Sequence, residues 1–270
     1  NDQLNKKTPL IIAEVGVNHN RNLEQARRLV DVAASSGANI VKFQTFDSNK
    51  LATSIAPQAS YQLENTGQDQ SQLELLRSLE LTHEMHIELI EYCREVGIEF
   101  LSTAFDETGL YYLVKLGVRR IKIPSGELTN LPYLEAAASF NLPVIMSTGM
   151  ATMSEIIDSC EVLYRCGLDQ SCLTILHCTT NYPAVSQELN MKAVNTIRLE
   201  TGAAIGYSDH SDGEVAAIMA VALGATVIEK HITLSKTLVG PDHQASMEPD
   251  SFRSYVASIK NAYMALGDGV

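Results

Sequence analysis

The residues best able to do chemistry in this sequence sit at the ends of short apolar runs. Lys42 stands in Val41-Lys42-Phe43-Gln44-Thr45, and Lys122 opens Lys122-Ile123-Pro124-Ser125-Gly126-Glu127. With Ser125, Ser147 and Ser208 they form a cationic, hydroxyl-rich set suited to a ligand carrying both a phosphate and a carboxylate. Two other readings stand beside it. In one, Lys42 or Lys122 closes a buried ion pair with Glu14 or Glu127; in the other, one of them forms a Schiff base.

His210 and His231 close two later runs, Tyr207-Ser208-Asp209-His210 and Glu229-Lys230-His231. Two imidazoles meeting at an open site would hold a divalent cation, with water or substrate completing its shell. The alternative for this pair is structural histidine with its nitrogens satisfied. His19, His177 and His243 are further candidates for ligands or acid/base groups. His83 and His86 fall in a helical, exposed stretch and are expected to be inert. Glu127 suits a general base for an attacking water, or else a partner of Lys122, and Glu14 faces the same choice. Cys178, beside His177, is read as packing rather than as a thiol nucleophile.

These side chains need a scaffold that gathers strand ends. Residues 10–17, 39–46, 98–105, 120–126, 143–149, 172–179, 203–208 and 226–233 read as strands, several of them apolar over nearly their whole length. That pattern marks strands covered on both faces, as in a parallel sheet. Helical stripes lie between them: Ala26, Leu29, Val30 and Ala33; Ile156, Cys160, Leu163 and Tyr164; Phe252, Tyr255, Val256, Ile259, Tyr263 and Leu266. Thr152 with Glu155 fits a capping box. Gly37, Gly97, Gly117, Gly167, Gly202 and Gly224 each follow a helical stretch, where a left-handed cap is needed. Eight such units in 270 residues predict an α/β fold, a (β/α)8 TIM barrel occupying residues 1–270 as a single catalytic domain. An open doubly wound sheet is the runner-up, weakened by the lack of G-x-G-x-x-G after the first strand. In such a barrel the C-terminal strand ends form the active site, and that is where the polar residues above fall. The interval 47–80 is long, polar and Gln/Ser-rich. It is read as a lid or subunit contact, or equally as a surface insertion.

Composition narrows the partners. The formal net charge is -12, which disfavours nucleic acid and anionic membranes. No apolar run reaches the ~20 residues of a membrane span. Five cysteines without a C-x-x-C pair, and no visible signal peptide, lead to the expectation of a reduced, cytoplasmic protein.

The motifs already quoted, together with Ala13-Glu14-Val15-Gly16-Val17-Asn18-His19, Met146-Ser147-Thr148-Gly149-Met150, Leu176-His177-Cys178-Thr179 and Gly240-Pro241-Asp242-His243, resemble the sialic acid synthase family of N-acetylneuraminate, legionaminate and pseudaminate synthases. The resemblance covers nearly the whole chain in order. It implies a barrel enzyme, a transferase that condenses phosphoenolpyruvate with an open-chain N-acetyl amino sugar and releases phosphate. It implies a divalent metal on His210 and His231, Mn2+ above Mg2+ or Co2+. It implies phosphoenolpyruvate contacts from Lys42, Thr103, Lys122, Ser125, Ser147 and Ser208, and sugar contacts from Gln44, Tyr182 and Asp242. Glu127 would handle the water proton, with Glu14 as a further active-site carboxylate. Family members continue into a C-terminal antifreeze-like domain and pair as homodimers. This sequence reaches Gly267-Asp268-Gly269-Val270 where the linker to that domain is expected. Thr180-Asn181 departs from the Asn-apolar step of some neuraminate-specific members, a departure that fits a different sugar such as a diacetamido hexose. Two rival readings are a metal-dependent sugar isomerase or epimerase, and a catalytically silent metabolite-binding barrel.

Overall fold

The computed structural model describes residues 8–51, 71–181 and 183–268. Eight parallel strands close on themselves in sequence order: β1 (Leu10–Gly16), β2 (Ile40–Thr45), β3 (Glu99–Ala104), β4 (Ile121–Ile123), β5 (Val144–Ser147), β6 (Leu173–Cys178), β7 (Ala204–Asp209) and β8 (Val227–His231). The seam is sealed by β8 against β1, with Leu10 opposite Val227 and Glu14 opposite His231. All eight predicted strands are present. β4 ends early because Pro124, which has no N–H to give the ladder, leads into a tight turn at Ser125–Glu127.

Helices follow the strands and cover the outside of the barrel. The predicted stripes are their buried faces: Ala26, Leu29, Val30 and Ala33 on Leu23–Ser35; Ile156, Cys160 and Leu163 on Met153–Arg165; Phe252, Tyr255, Val256 and Ile259 on Pro249–Ala265. The Thr152/Glu155 capping box forms, and the six predicted glycines all have positive φ, Gly97 and Gly202 as left-handed helix caps. Within the interval 47–80, Gln72–Leu79 is a regular helix with its own Ser71/Glu74 capping box, so that part is not loop. Residues 52–70, where most of the expected lid would lie, are outside the described residues.

Strand alternation divides the core in two. Outward residues such as Ile11, Val41, Ile121, Met146, Ile175 and Ile228 pack under the helices in the main cluster. Inward residues Ile12, Ile40, Leu101, Ile145, Leu176 and Val227 form a separate plug inside the barrel. Gly206 faces the same plug, where a Cβ would lie 2.4 Å from the Val227 carbonyl oxygen and 2.5 Å from a Leu176 methyl. Among the described residues no helix is long and apolar enough to cross a membrane.

Candidate active site

Two residues beyond the apolar plug, on the same strands and the same inward face, the side chains turn to charges, hydroxyls and a thiol. Ile12 gives way to Glu14, Ile40 to Lys42, Leu101 to Thr103, Ile145 to Ser147, Leu176 to Cys178, Gly206 to Ser208 and Val227 to Glu229. These residues, with Lys122 from β4, line a cavity of ≈ 180 Å³ at the C-terminal mouth, rimmed by Gln44, Phe105, Ser125, Thr180, His210 and His231. The cavity thus opens at the face where the sequence gathers its polar strand ends.

Two lysines and two glutamates share this layer. Lys42 Nζ is 3.1 Å from Glu14 Oε2 and 3.2 Å from Glu229 Oε2, and Lys122 Nζ is 3.5 Å from Glu229 Oε1. Hydroxyls complete the shell. Lys42 Nζ donates to Thr103 Oγ1 at 3.2 Å, Lys122 Nζ to Ser147 Oγ at 2.7 Å, and Ser208 Oγ to Glu229 Oε1 at 3.0 Å. Ser125 Oγ accepts the Gly149 N–H at 2.9 Å and lies 3.5 Å from Cys178 Sγ. The ion-pair reading and the anion-site reading of the lysines are thus not exclusive: both ammoniums are ion-paired, and both line the cavity. Among the described residues no Lys–Glu127 pair forms; Lys122 pairs with Glu229.

Burial splits the two carboxyls. It pushes Glu14 up to about 7, against the opposing pull of Lys42. It also acts on Glu229, but there Lys122 and Lys42 outweigh it and hold the group below the usual carboxylate range. Burial lowers Lys122 in spite of Glu229, while Lys42, also desolvated, is raised by Glu14 and Glu229 together. A neighbouring pair whose affinities for protons diverge offers one fixed charge, Glu229, and one group that exchanges a proton near neutrality, Glu14.

The imidazoles of His210 and His231 meet above this layer with ring centroids 5.7 Å apart. Burial lowers the pKa of both, more strongly for His231, where His210 and Lys42 add to it. Both rings are accordingly neutral at pH 7, as metal ligation requires. His210 Nδ1 sits 2.6 Å from the Thr179 carbonyl oxygen. A proton on Nδ1 satisfies that carbonyl and fixes the orientation of the ring, as outer partners do for a ligating histidine. Among the described residues no group of three His, Cys, Asp or Glu is arranged to hold a metal ion. The fit to a divalent cation rests instead on the two neutral imidazoles that meet at the mouth; any further ligands would come from water or substrate.

Other sequence candidates lie elsewhere. Glu127 is half-buried on the turn after β4, accepts Asn130 Nδ2 at 2.6 Å and does not line the cavity. Asp242 sits in the loop after β8, where desolvation pushes its carboxyl up to about 6. Tyr182 is outside the described residues. His177 points to the helix side of the barrel, against Leu189 O at 2.7 Å and stacked on Tyr207. His19 and His243 are buried in the polar loops above β1 and β8. His86 is not exposed: its Nε2 is 2.8 Å from Thr45 Oγ1 and its Nδ1 2.8 Å from the Thr82 carbonyl oxygen. It is 2% exposed because it shares the buried face of helix His83–Val96 with Met85, Leu89 and Cys93. The sequence motifs alone assign Glu229 no role. The signal for it was its position two residues before His231 on one strand, which puts both on the same face.

Comparison with known proteins bears on this site. The sequence profile of the NeuB family matches residues 29–270. The chain is 48% identical over 265 residues to an N,N'-diacetyllegionaminic acid synthase of Legionella pneumophila, covering 97% of this chain and 74% of that protein. It is 47% identical over 265 residues to the Campylobacter jejuni protein of the same name, covering 98% and 79%. The crystal structure of an N-acetylneuraminic acid synthetase from Leptospira borgpetersenii, in complex with citrate, superposes with a TM-score of 0.86 at 34% identity, over 98% of this chain and 87% of that one.

Proposed function

Since the chain belongs to the NeuB family and is an enzyme of the sialic acid synthase type, we propose that it condenses phosphoenolpyruvate with an N-acetylated amino sugar, giving a nonulosonate and phosphate. The observation that carries this reading is the single mouth shared by Lys42, Lys122, Thr103, Ser125, Ser147, Ser208, His210 and His231. Two ammoniums and a set of hydroxyls suit a phosphate and a carboxylate on one small molecule. A neutral sugar handled by an isomerase needs neither lysine. The two relatives at 47–48% identity are both named for a diacetylated product, and Thr180 lines the cavity. Both points favour a diacetamido hexose over N-acetylmannosamine as the acceptor, with Gln44 at the rim to contact it.

In the proposed reaction the enol carbon of phosphoenolpyruvate bonds to the aldehyde carbon of the open-chain sugar. Water adds to the former C2, and the C–O bond to phosphate then breaks. Lys42 and Lys122 hold the phosphoenolpyruvate anion and offset the charge that collects on the departing phosphate. Glu14, inside the cavity and able to exchange a proton near neutrality, is the first choice for the proton of the attacking water. Glu127, beyond the rim, is the second. Glu229 keeps both lysines in place. His210 and His231 would hold a divalent cation, Mn2+ ahead of Mg2+ or Co2+, which when bound supplies Lewis acidity toward the sugar carbonyl.

The test is phosphate release with phosphoenolpyruvate and a panel of N-acetylmannosamine and diacetamido hexoses, with the product mass measured. Phosphate and a nonulosonate appear only when both substrates are present, and His210→Ala loses turnover without loss of fold. Sugar interconversion without phosphoenolpyruvate, or full turnover in chelator-treated buffer, would count against the proposal.

A further inference from the structure

Behind the two imidazoles, on the helix side of the sheet, lies a buried polar group that the proposed chemistry does not use. Asp209 and Lys230 are register partners on β7 and β8, one step beyond the Ser208–Glu229 pair that lines the cavity. Alternation turns them outward, and the next residue on each strand is His210 or His231. Lys230 Nζ lies 3.3 Å from Asp209 Oδ2, with side chains 2% and 0% exposed, and donates to the Ser211 carbonyl oxygen. Asp209 Oδ1 accepts the Ser211 N–H at 2.9 Å and the Ser211 Oγ–H at 2.6 Å. Tyr255, on helix Pro249–Ala265, donates its hydroxyl to Asp209 Oδ2 at 2.8 Å and lays its ring 5.5 Å from Lys230 Nζ. His210 is thereby bracketed at 209 and 211 by a lysine from the strand that carries His231.

An ion pair buried under a helix contributes little net stability compared with apolar residues of the same size, because both charges lose their water. What such a pair does supply is fixed geometry, and here it spans the one strand seam that carries both imidazoles. We propose that Asp209, Lys230 and Tyr255 form a positioning clamp that fixes the His210–His231 spacing and so sets the affinity of the site for a divalent cation. The inference rests on the metal reading of those two histidines. The three residues touch neither substrate nor cation; they act through the strand ends, as outer-shell partners do for metal ligands.

The test is Mn2+ binding to the full chain without substrate, by calorimetry or by the electron paramagnetic resonance of free Mn2+, with a thermal melt of each variant. Tyr255→Phe, which removes one oxygen, weakens Mn2+ roughly 10-fold, and Lys230→Met weakens it further. Tyr133→Phe is the control. It deletes another buried hydroxyl, bonded to the Ala104 carbonyl oxygen at 2.9 Å, and lowers the melting temperature without moving Mn2+ affinity. Wild-type affinity in Tyr255→Phe overturns the clamp, and that variant decides alone if Lys230→Met does not fold. Binding that survives His210→Ala, or no binding by the wild type, overturns the metal reading and the clamp with it. Binding that is lost in His210→Ala yet unmoved in Tyr255→Phe overturns the clamp only.

Discussion

Two layers inside the barrel, one step of the pleat apart, behave as different materials. The lower layer of Ile12, Ile40, Leu101, Ile145, Leu176 and Val227 is apolar and buried. The upper layer, two residues along the same strands, carries Glu14, Lys42, Lys122 and Glu229. About 7 Å of rise separates them. The apolar floor keeps water from beneath the charges, which strengthens every interaction among them and drives Glu14 and Glu229 apart in proton affinity. The lower layer fills the barrel, and the upper one lines its open mouth.

The most severe way to separate the layers is to remove a charge from the upper one. Lys42→Met should lower kcat/KM roughly 1000-fold, on the scale of losing a preorganised group that meets developing charge. The fold should suffer less than a broken buried pair usually does, because Glu14, already pushed up to about 7, takes a proton when Lys42 leaves. Phosphate release and a thermal melt measure the two sides. Activity above a tenth of wild type would mean that the ionic layer is structural.

The reverse substitution tests the floor. Leu101→Ala removes a fully buried side chain of the plug and should lower unfolding free energy by about 3 kcal/mol, read from urea unfolding. Activity per folded molecule should stay within a few-fold. A catalytic loss as large as that of Lys42→Met would show that the layers are not separable.

Much of this division is legible in the sequence. Runs apolar on both faces announce parallel strands, and polar residues at one end of each run announce the mouth, so Lys42, Thr103, Lys122, Ser147, Ser208, His210 and His231 could be placed there without coordinates. What stays hidden is which charges pair. Glu229 and Lys230 are neighbours in sequence, yet one lines the cavity and the other faces the helices; alternation from His231 marks the face of Glu229, but that it pairs with both Lys42 and Lys122 is set by strands meeting across the barrel. His86 escaped for a related reason: its helix reads as polar, while its ring packs edge-on to Tyr112 and Phe100, contacts made across elements far apart in sequence. Glu127 sits five residues after Lys122, but the turn at Pro124 carries it away from the lysine.

A third region sharpens the contrast, because its charge is kept out altogether. His19 is 0% exposed, its Nδ1 accepts the Arg21 N–H at 2.9 Å, and burial, with His86 and His243 nearby, lowers it to about 3. A histidine depressed in the folded state contributes stability above its unfolded value near 6.5 and loses it as pH falls toward the folded value. At pH 5 the loss is about 2 kcal/mol relative to pH 7. Urea unfolding at both pH values should show wild type losing that much more than His19→Gln. Equal losses would mean that this ring takes up a proton in the folded protein without penalty.

The smallest effect belongs outside the barrel altogether. Thr152 caps helix Met153–Arg165 by accepting the Glu155 N–H at 3.3 Å, while Glu155 Oε2 accepts the Thr152 N–H at 2.7 Å. Thr152→Ala should lower stability by about 1 kcal/mol and leave kcat/KM and Mn2+ affinity unchanged. The helix packs on the outer face of the sheet, so loosening its first turn alters neither inner layer. If this substitution moved activity, the wall helices would have to be coupled to the mouth through β5, whose Ser147 hydroxyl accepts from Lys122, and the two-layer division would extend to a third shell.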